Sequence, residues 1–344
     1  MIVRTDRIGD VMLSLPLIDF IKQKYPLCKI TFLLREYTSA LALDYDGINE
    51  VLLLIEQKGK PNLLQNVIML RRQNIDTVIV VYPTFIISLI IFLSGIKKRI
   101  GTGYRWYSFF FTHKVYEHRK TAERHELEYN LNLLKQIGIN QVINESSIKF
   151  HLTISVETRN KVLSILTRNK INLDKPIIIV HPGSGGSAVD LPIPKMIKLM
   201  ELLSTLECYI FVTGNKSEVA LCQELVVKDN IFNFAGEFEL NELVALIDLS
   251  IIFISNSTGP LHIAAALNKY VVGFYPKILA CSPKRWGPYT QKKIIVMPEI
   301  DCSNCDREQC EKLNCMDSIN INNVFANVQK IYKLHLNNGD FHAE

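Results

Sequence analysis

Residues 249–254 form an apolar run that leads into Ser255-Asn256-Ser257-Thr258-Gly259-Pro260-Leu261-His262 and then Ile263-Ala264-Ala265-Ala266-Leu267. The pattern reads as a strand, a small polar loop and a helix. In that order a parallel α/β sheet turns backbone N–H groups towards a phosphate. Thr258 and Gly259 fall at the loop–helix junction, where a hydroxyl and an unobstructed backbone can both approach an oxyanion. His262 follows one turn later on the same face. A strand of this kind needs parallel neighbours and helices over both faces.

The rest of the chain repeats this grammar. In the first half, residues 2–4, 29–34, 51–55 and 77–82 read as strands, and 11–24, 85–93 and 127–137 as helices. After a polar stretch at 159–175 the pattern restarts. Strands are expected at 177–180, 209–213, 231–233, 249–254 and 270–275, with a helix at 194–206 and a terminal helix at 319–334. The fold class is α/β: a first domain over 1–168, a second over 169–318, and a closing helical segment over 319–344. With 344 residues, 48% of them hydrophobic and 21% charged, the chain can fill two such cores.

The longest uncharged run, 77–96, contains Pro83 and reads as a buried strand and a short helix. A membrane span would need about 20 apolar residues. Met1-Ile2-Val3-Arg4 passes straight into the first strand with no secretory leader, so a cytosolic protein is expected. The formal charge of +5 suits an anionic substrate or a membrane surface and is too small to argue for nucleic acid.

Several stretches carry chemistry. Arg4-Thr5-Asp6-Arg7-Ile8-Gly9-Asp10-Val11 lies at the carboxyl end of the first strand, where open α/β sheets bind ligands. Asp10 reads either as a helix cap, worth about 1 kcal/mol, or as a general base. His181-Pro182-Gly183-Ser184-Gly185-Gly186-Ser187 can wrap a diphosphate with backbone N–H groups and is neither a Walker A loop nor GxGxxG. Glu218, after the turn Thr213-Gly214-Asn215, reads as a ribose or base acceptor or as a solvated helix residue. Residues 97–125 concentrate Arg99, Arg105, Arg119, Lys120 and Arg124 with Trp106, Tyr107 and Phe109–Phe111, against Glu117 and Glu123 alone. That region is either a solvated charged face or a surface for an acidic amphiphile. Cys302, Cys305, Cys310 and Cys315 could hold a structural zinc, but they lack the paired CxxC spacing, and packed thiols are the leading reading.

With these residues in hand the chain resembles the family 9 glycosyltransferases, the ADP-heptose:lipopolysaccharide heptosyltransferases and their relatives. The resemblance rests on Arg4 to Val11 with Leu15-Pro16, on His181 to Gly186, on Ser255 to His262 with the alanines that follow, and on Arg285-Trp286-Gly287-Pro288-Tyr289. The stretch ending Cys315-Met316 also looks like one found in several members. The resemblance implies a GT-B fold, with two Rossmann-like domains facing across a cleft and the final helix crossing back onto the first. It implies inverting transfer of a sugar, heptose from ADP-heptose first among them, onto a lipopolysaccharide core or related lipid-linked glycan at the inner membrane surface. No cofactor or catalytic metal is expected. Asp10 matches the family's base. Thr258, Gly259 and His262 match the family's donor-diphosphate loop and Glu218 its nucleoside-side glutamate; Ser184, Gly185, Gly186, Ser187 and Ser257 are the further donor-binding candidates, and the basic residues between Arg99 and Arg124 are left for the acceptor.

Two positions depart from the pattern. Members often carry lysine where Val189 stands, so Lys195 or Arg285 would have to supply the diphosphate cation. Many carry aspartate where Ser257 stands. A different nucleotide-sugar donor, or a non-catalytic nucleotide- or sugar-binding relative, is the alternative reading. A nicotinamide-dependent oxidoreductase is opposed by the missing GxGxxG.

Overall fold

The computed structural model describes residues 1–300 and 306–337. The chain divides into two compact units, 1–153 and 154–344.

In the first unit the elements run β1 (Ile2–Val3), α1 (Ile8–Met12), α2 (Pro16–Lys24), β2 (Thr31–Leu34), β3 (Glu50–Leu53), the short hairpin β4 (Glu56–Gln57) and β5 (Lys60–Pro61), α3 (Leu63–Arg71), β6 (Thr77–Val80), α4 (Phe85–Leu93), β7 (Lys98–Thr102), β8 (His113–Val115) and α5 (Glu126–Asn132). The sheet order is β3-β2-β1-β6-β7-β8, all parallel. Its core gathers Val3, Leu33, Val78 and Val80 from the strands with Ile87, Ile90 and Ile91 from α4. The helix expected over 11–24 is two helices. Proline at the start of α2 has no N–H to continue the ladder, so α1 ends at Met12.

In the second unit α6 (Val156–Arg168) precedes β9 (Ile177–His181), α7 (Ile193–Leu203), β10 (Tyr209–Val212), α8 (Val219–Gln223), β11 (Ile231–Asn233) and α9 (Leu240–Asp248). β12 (Ile252–Asn256), α10 (Gly259–Ala266), β13 (Tyr270–Phe274), α11 (Pro283–Trp286), β14 (Lys293–Val296), α12 (Arg307–Lys312) and α13 (Ile321–Asn337) complete it. The order β11-β10-β9-β12-β13-β14 is the first unit's order again, and it too is parallel. β9 and β12 are buried along their whole length, as central parallel strands are.

The division falls earlier than the boundary at 168 expected from sequence, because α6 packs on α9. Arg159 meets Asp248 at 2.8 Å, and Lys161 pairs with Glu242. The apolar face of α13 (Val324, Val328, Ile331, Tyr332) lies in the second unit's core beside Leu199 and Leu203 of α7, and the Tyr332 hydroxyl donates to the Glu207 carbonyl at 2.8 Å.

In each sheet the connections change direction between the first strand and the fourth. These are the pairs β1/β6 and β9/β12. Ligands of doubly wound sheets bind at the carboxyl ends of such a pair.

Candidate functional site

At the β1/β6 edge the chain places a buried charge cluster. Arg4, just past β1, is 1% exposed. Its Nε donates to Asp6 Oδ1 at 2.7 Å, one Nη pairs with Asp10 Oδ1, and the other donates to Asn130 Oδ1 at 3.3 Å and lies 3.6 Å from Glu126 Oε1. Arg119 pairs with the same Glu126 and donates to Asn130 Oδ1 at 3.2 Å. Asn130 in turn donates to the Leu13 carbonyl at 3.0 Å, which ties α5 to the end of α1. Two guanidinium groups therefore face three carboxylates. A buried charge persists only when it is paired and hydrogen-bonded in this way.

Asp10 sits in the first turn of α1, whose cap position is Arg7 with no side-chain cap bond. The cap reading of Asp10 is therefore set aside. Its carboxylate is 15% exposed and is oriented by Arg4, a geometry suited to accepting a proton from a hydroxyl. Burial pushes the Asp6 carboxyl up to about 7, and the charge and hydrogen bond of Asp10 push the same way, against Arg4. Arg4 and Asp6 lie in the stretch that sequence marks, but it assigns them no role of their own, and it does not mark Glu126 or Asn130. An arginine and an aspartate two residues apart beside a strand carry no local signal of burial.

The basic residues named from sequence separate into different places. Arg119 joins the cluster. Arg99 gives its guanidinium to the carbonyls of Phe110 and Ile96 and covers the Phe92 ring, 5.4 Å from its centroid, so it locks β7 to the following turn. Arg105, Lys120 and Arg124 are exposed.

In the second unit the β9 and β12 loops meet at their own edge. Ser184 is buried, and its hydroxyl closes the loop onto Ala188. Gly185 and Gly186 follow at φ +55° and +75°, backbone that a side chain would strain by about 1–2 kcal/mol each. Asn256, at the end of β12, joins the loop's two ends. Its amide donates to the Pro182 carbonyl and its oxygen accepts from the Leu191 N–H at 2.9 Å. Thr258 is the N-cap residue of α10, in extended conformation with no side-chain cap bond, so its hydroxyl does not close the helix end. Ser257, Thr258 and His262 are buried around that end, with Gly259 partly so. Ser257 hydrogen-bonds Tyr275, whose hydroxyl donates to the Trp286 carbonyl at 3.0 Å.

Glu218 belongs to the same cluster of loops. Its carboxylate accepts the Asn215 N–H at 2.8 Å in a capping box, and its other oxygen lies against Gly183, where any Cβ would collide with it. His181 hydrogen-bonds Thr213 at 3.0 Å, and burial lowers its pKa to about 4, so it is neutral.

The cation on the loop is a residue that sequence reasoning missed. Arg307 of α12 donates to the carbonyls of Gly186 at 3.1 Å and Ala188 at 2.7 Å. Lys195 instead points to the Ile319 carbonyl at 3.3 Å and Asp317 at 4.0 Å, and Arg285 lies over the Trp286 ring. Cys302 and Cys305 fall outside the described residues. Cys310 and Cys315 are buried in an apolar cluster with Ile278, and among the described residues no group of three or more metal-binding side chains occurs.

Residues 67–316 match the family model "Glycosyltransferase family 9 (heptosyltransferase)". A Haemophilus influenzae protein bearing a provisional glycosyltransferase name is 28% identical over 297 residues, covering 84% of this chain and 85% of its own length. Lipopolysaccharide heptosyltransferase 3 of Escherichia coli K12 is 24% identical over 302 residues, covering 83% and 84%. The solved structure of the E. coli ADP-heptose LPS heptosyltransferase II superposes with a TM-score of 0.78 at 18% identity, over 96% of this chain and 97% of that one, which gives the GT-B fold. A doubly wound pair of sheets alone would leave the chemistry open, whereas a family match that runs from α3 to the cysteine stretch closes the question of class: the chain belongs to glycosyltransferase family 9, the heptosyltransferase family, and is a glycosyltransferase.

Proposed function

We propose that this chain transfers heptose from ADP-heptose, with inversion, to a hydroxyl of a lipopolysaccharide core or related lipid-linked glycan. The observation that carries the reading is Asp10, a partly buried carboxylate fixed by Arg4 at the edge of the first sheet. The names of the E. coli relatives support heptose and lipopolysaccharide.

In the proposed reaction the acceptor hydroxyl attacks the anomeric carbon of the donor sugar. Asp10 takes the hydroxyl proton as the new bond forms, and the bond to the diphosphate breaks on the opposite face. The diphosphate lies on the loops Ser184–Ser187 and Ser257–Gly259. Backbone N–H groups, the α10 N-terminus and Arg307 take up the charge that grows on the leaving group. Glu218 meets the nucleoside end, and Arg119 with the exposed Arg105, Lys120 and Arg124 serves the anionic acceptor. Every step uses side chains and backbone, and no metal or cofactor is assigned a part.

Asp10→Asn tests the base. Turnover should fall by about 10²–10⁴-fold, read as ADP release, while ADP and ADP-heptose still raise the melting temperature by mass action. Full activity in that variant removes Asp10 as base. Stabilisation by UDP or GDP in place of ADP replaces the donor, and donor binding without turnover on any acceptor favours a non-catalytic relative.

A further inference from the structure

The outer surface of the α3–α4 helix pair in the first unit is apolar. The two helices pack side by side on one face of the sheet. α4 reads Phe-Ile-Ile-Ser-Leu-Ile-Ile-Phe-Leu and has no polar outer face, so Phe85 and Phe92 stand 41% and 44% exposed. The segment after β7 adds Trp106 at 73% and Phe109 at 62%.

These rings form one patch. Trp106 stacks on Phe85 with centroids 5.0 Å apart and planes 20° from parallel. Phe110 touches Phe92 at 5.1 Å and Phe109 at 4.4 Å. Contiguous exposed apolar surface of this kind marks a docking site, whereas single exposed side chains do not.

Its charge says what docks. No Asp or Glu occurs between Asp76 and Glu117, and that stretch holds Lys97, Lys98, Arg99, Arg105 and Lys114. Arg99 covers Phe92, and Arg71 donates to the Leu93 carbonyl at 2.9 Å, at the end of α4. Lys97 and the exposed Arg105, next to Trp106, complete the rim. Aromatic rings set in a cationic border fit the interface of an anionic bilayer, where rings sit at headgroup level and cations meet phosphates. Among the described residues no helix is long and apolar enough to cross a membrane.

We infer that this face seats the first unit on an anionic lipid bilayer, with Phe85, Trp106 and Phe109 entering the headgroup region. The patch also points to the acceptor. The Tyr107 hydroxyl donates to the Pro83 carbonyl at 2.8 Å, and Arg4 lies 5.9 Å from the ring of Tyr82. The aromatic strip therefore runs up to the residue that orients Asp10. This deepens the proposed function, which supplies the lipid-linked acceptor, but the bilayer contact stands without it.

The test is flotation of the full chain with phosphatidylcholine vesicles, with and without phosphatidylglycerol. The natural chain should bind the anionic vesicles, more weakly but still measurably in high salt. W106S/F109S should lower the partition coefficient by at least about tenfold and keep the natural melting temperature. Emission should shift to the blue on binding, and the shift should vanish in W106F. No binding, or equal binding by W106S/F109S, overturns the inference. Concentration-dependent self-association lost in W106S/F109S also overturns it, assigning the face to a second copy. Stabilisation by ADP reads the second unit alone, so failure of the transfer reading and failure of the bilayer contact are separate results.

Discussion

Replacing Arg4 with methionine removes the cation that Asp6, Asp10 and Glu126 share, while Glu126 keeps its pairing with Arg119. Methionine fills similar space, so the cost is electrostatic rather than a cavity. Stripping one partner from a buried ion pair costs about 3–5 kcal/mol. At about 2–4 °C per kcal/mol for a unit of this size, the melting temperature should drop by roughly 6–20 °C near pH 8. The loss should shrink towards pH 5. Asp6 already binds its proton more tightly in the fold than in the unfolded chain, and without the opposing charge of Arg4 it binds it more tightly still. The folded variant gains protons as pH falls, and its deficit is relieved. Thermal unfolding of the natural and R4M chains at the two pH values reads this directly. R4K separates charge from geometry. One ammonium cannot hold three carboxylates and Asn130 together, so R4K should fold, bind donor normally and lose kcat. A deficit in R4M below about 1 kcal/mol, the range of a surface pair, or one equal at both pH values, refutes the shared-cation argument.

Two further substitutions test neighbouring parts. Between the unfolded value near 3.8 and the folded value near 7, Asp6 holds more proton in the fold, so its contribution to stability falls as pH rises through that window. Asp6→Asn should remove a slope of up to about 1.4 kcal/mol per pH unit, read as the difference between the two chains' melting curves from about pH 4 to 7; parallel curves would place Asp6 in solvent. Asn256→Ala leaves the Leu191 N–H and the Pro182 carbonyl without their partner, at about 1–3 kcal/mol each. Chemical denaturation should show the loss and calorimetry a weaker nucleotide affinity, whereas unchanged affinity would detach Asn256 from the donor loops.

The strands most readable in sequence are the central, buried ones. Ile177–His181, buried throughout, and Tyr270–Phe274, buried beyond its first residue, announce themselves as apolar runs. Lys98–Thr102 and His113–Val115 do not. They lie towards the sheet's edge, half-exposed, with lysine, arginine and histidine among few apolar residues, and so merged into a basic stretch. Helix α6 was lost in a polar segment because three buried residues, Val162, Ile165 and Leu166, carry its core face. The site divides in the same way. Loops that follow strands were legible at Asp10, Gly185 and Thr258, since their chemistry is local. What holds those loops was not. Asn256 reads as one more small polar residue in a polar loop, and Glu126 and Asn130 reach Arg4 from α5 across more than a hundred residues of chain.

The departure at Val189 and the position of Arg307 are best understood as one change. Val189 packs against the cluster of Ile278, Cys310 and Cys315, so it faces the segment that carries α12. That packing seats α12 where Arg307 can span the carbonyls of Gly186 and Ala188, 121 and 119 residues away in sequence. Two of the guanidinium's five N–H groups are engaged there and one more goes to Glu311. In the proposed donor site, the two remaining N–H groups are the ones left for a diphosphate. An apolar residue in the loop thus brings in a cation from elsewhere, and a lysine at the same position would have to leave the cluster or bury its charge. Arg307→Ala should therefore raise the donor KM by about tenfold, the effect of one charge-assisted hydrogen bond, with R307K intermediate and the melting temperature nearly unchanged. V189K should weaken donor binding as well, because it unseats α12. If V189K instead tightens donor binding with Arg307 in place, the two positions act independently and the cation on this loop is not Arg307.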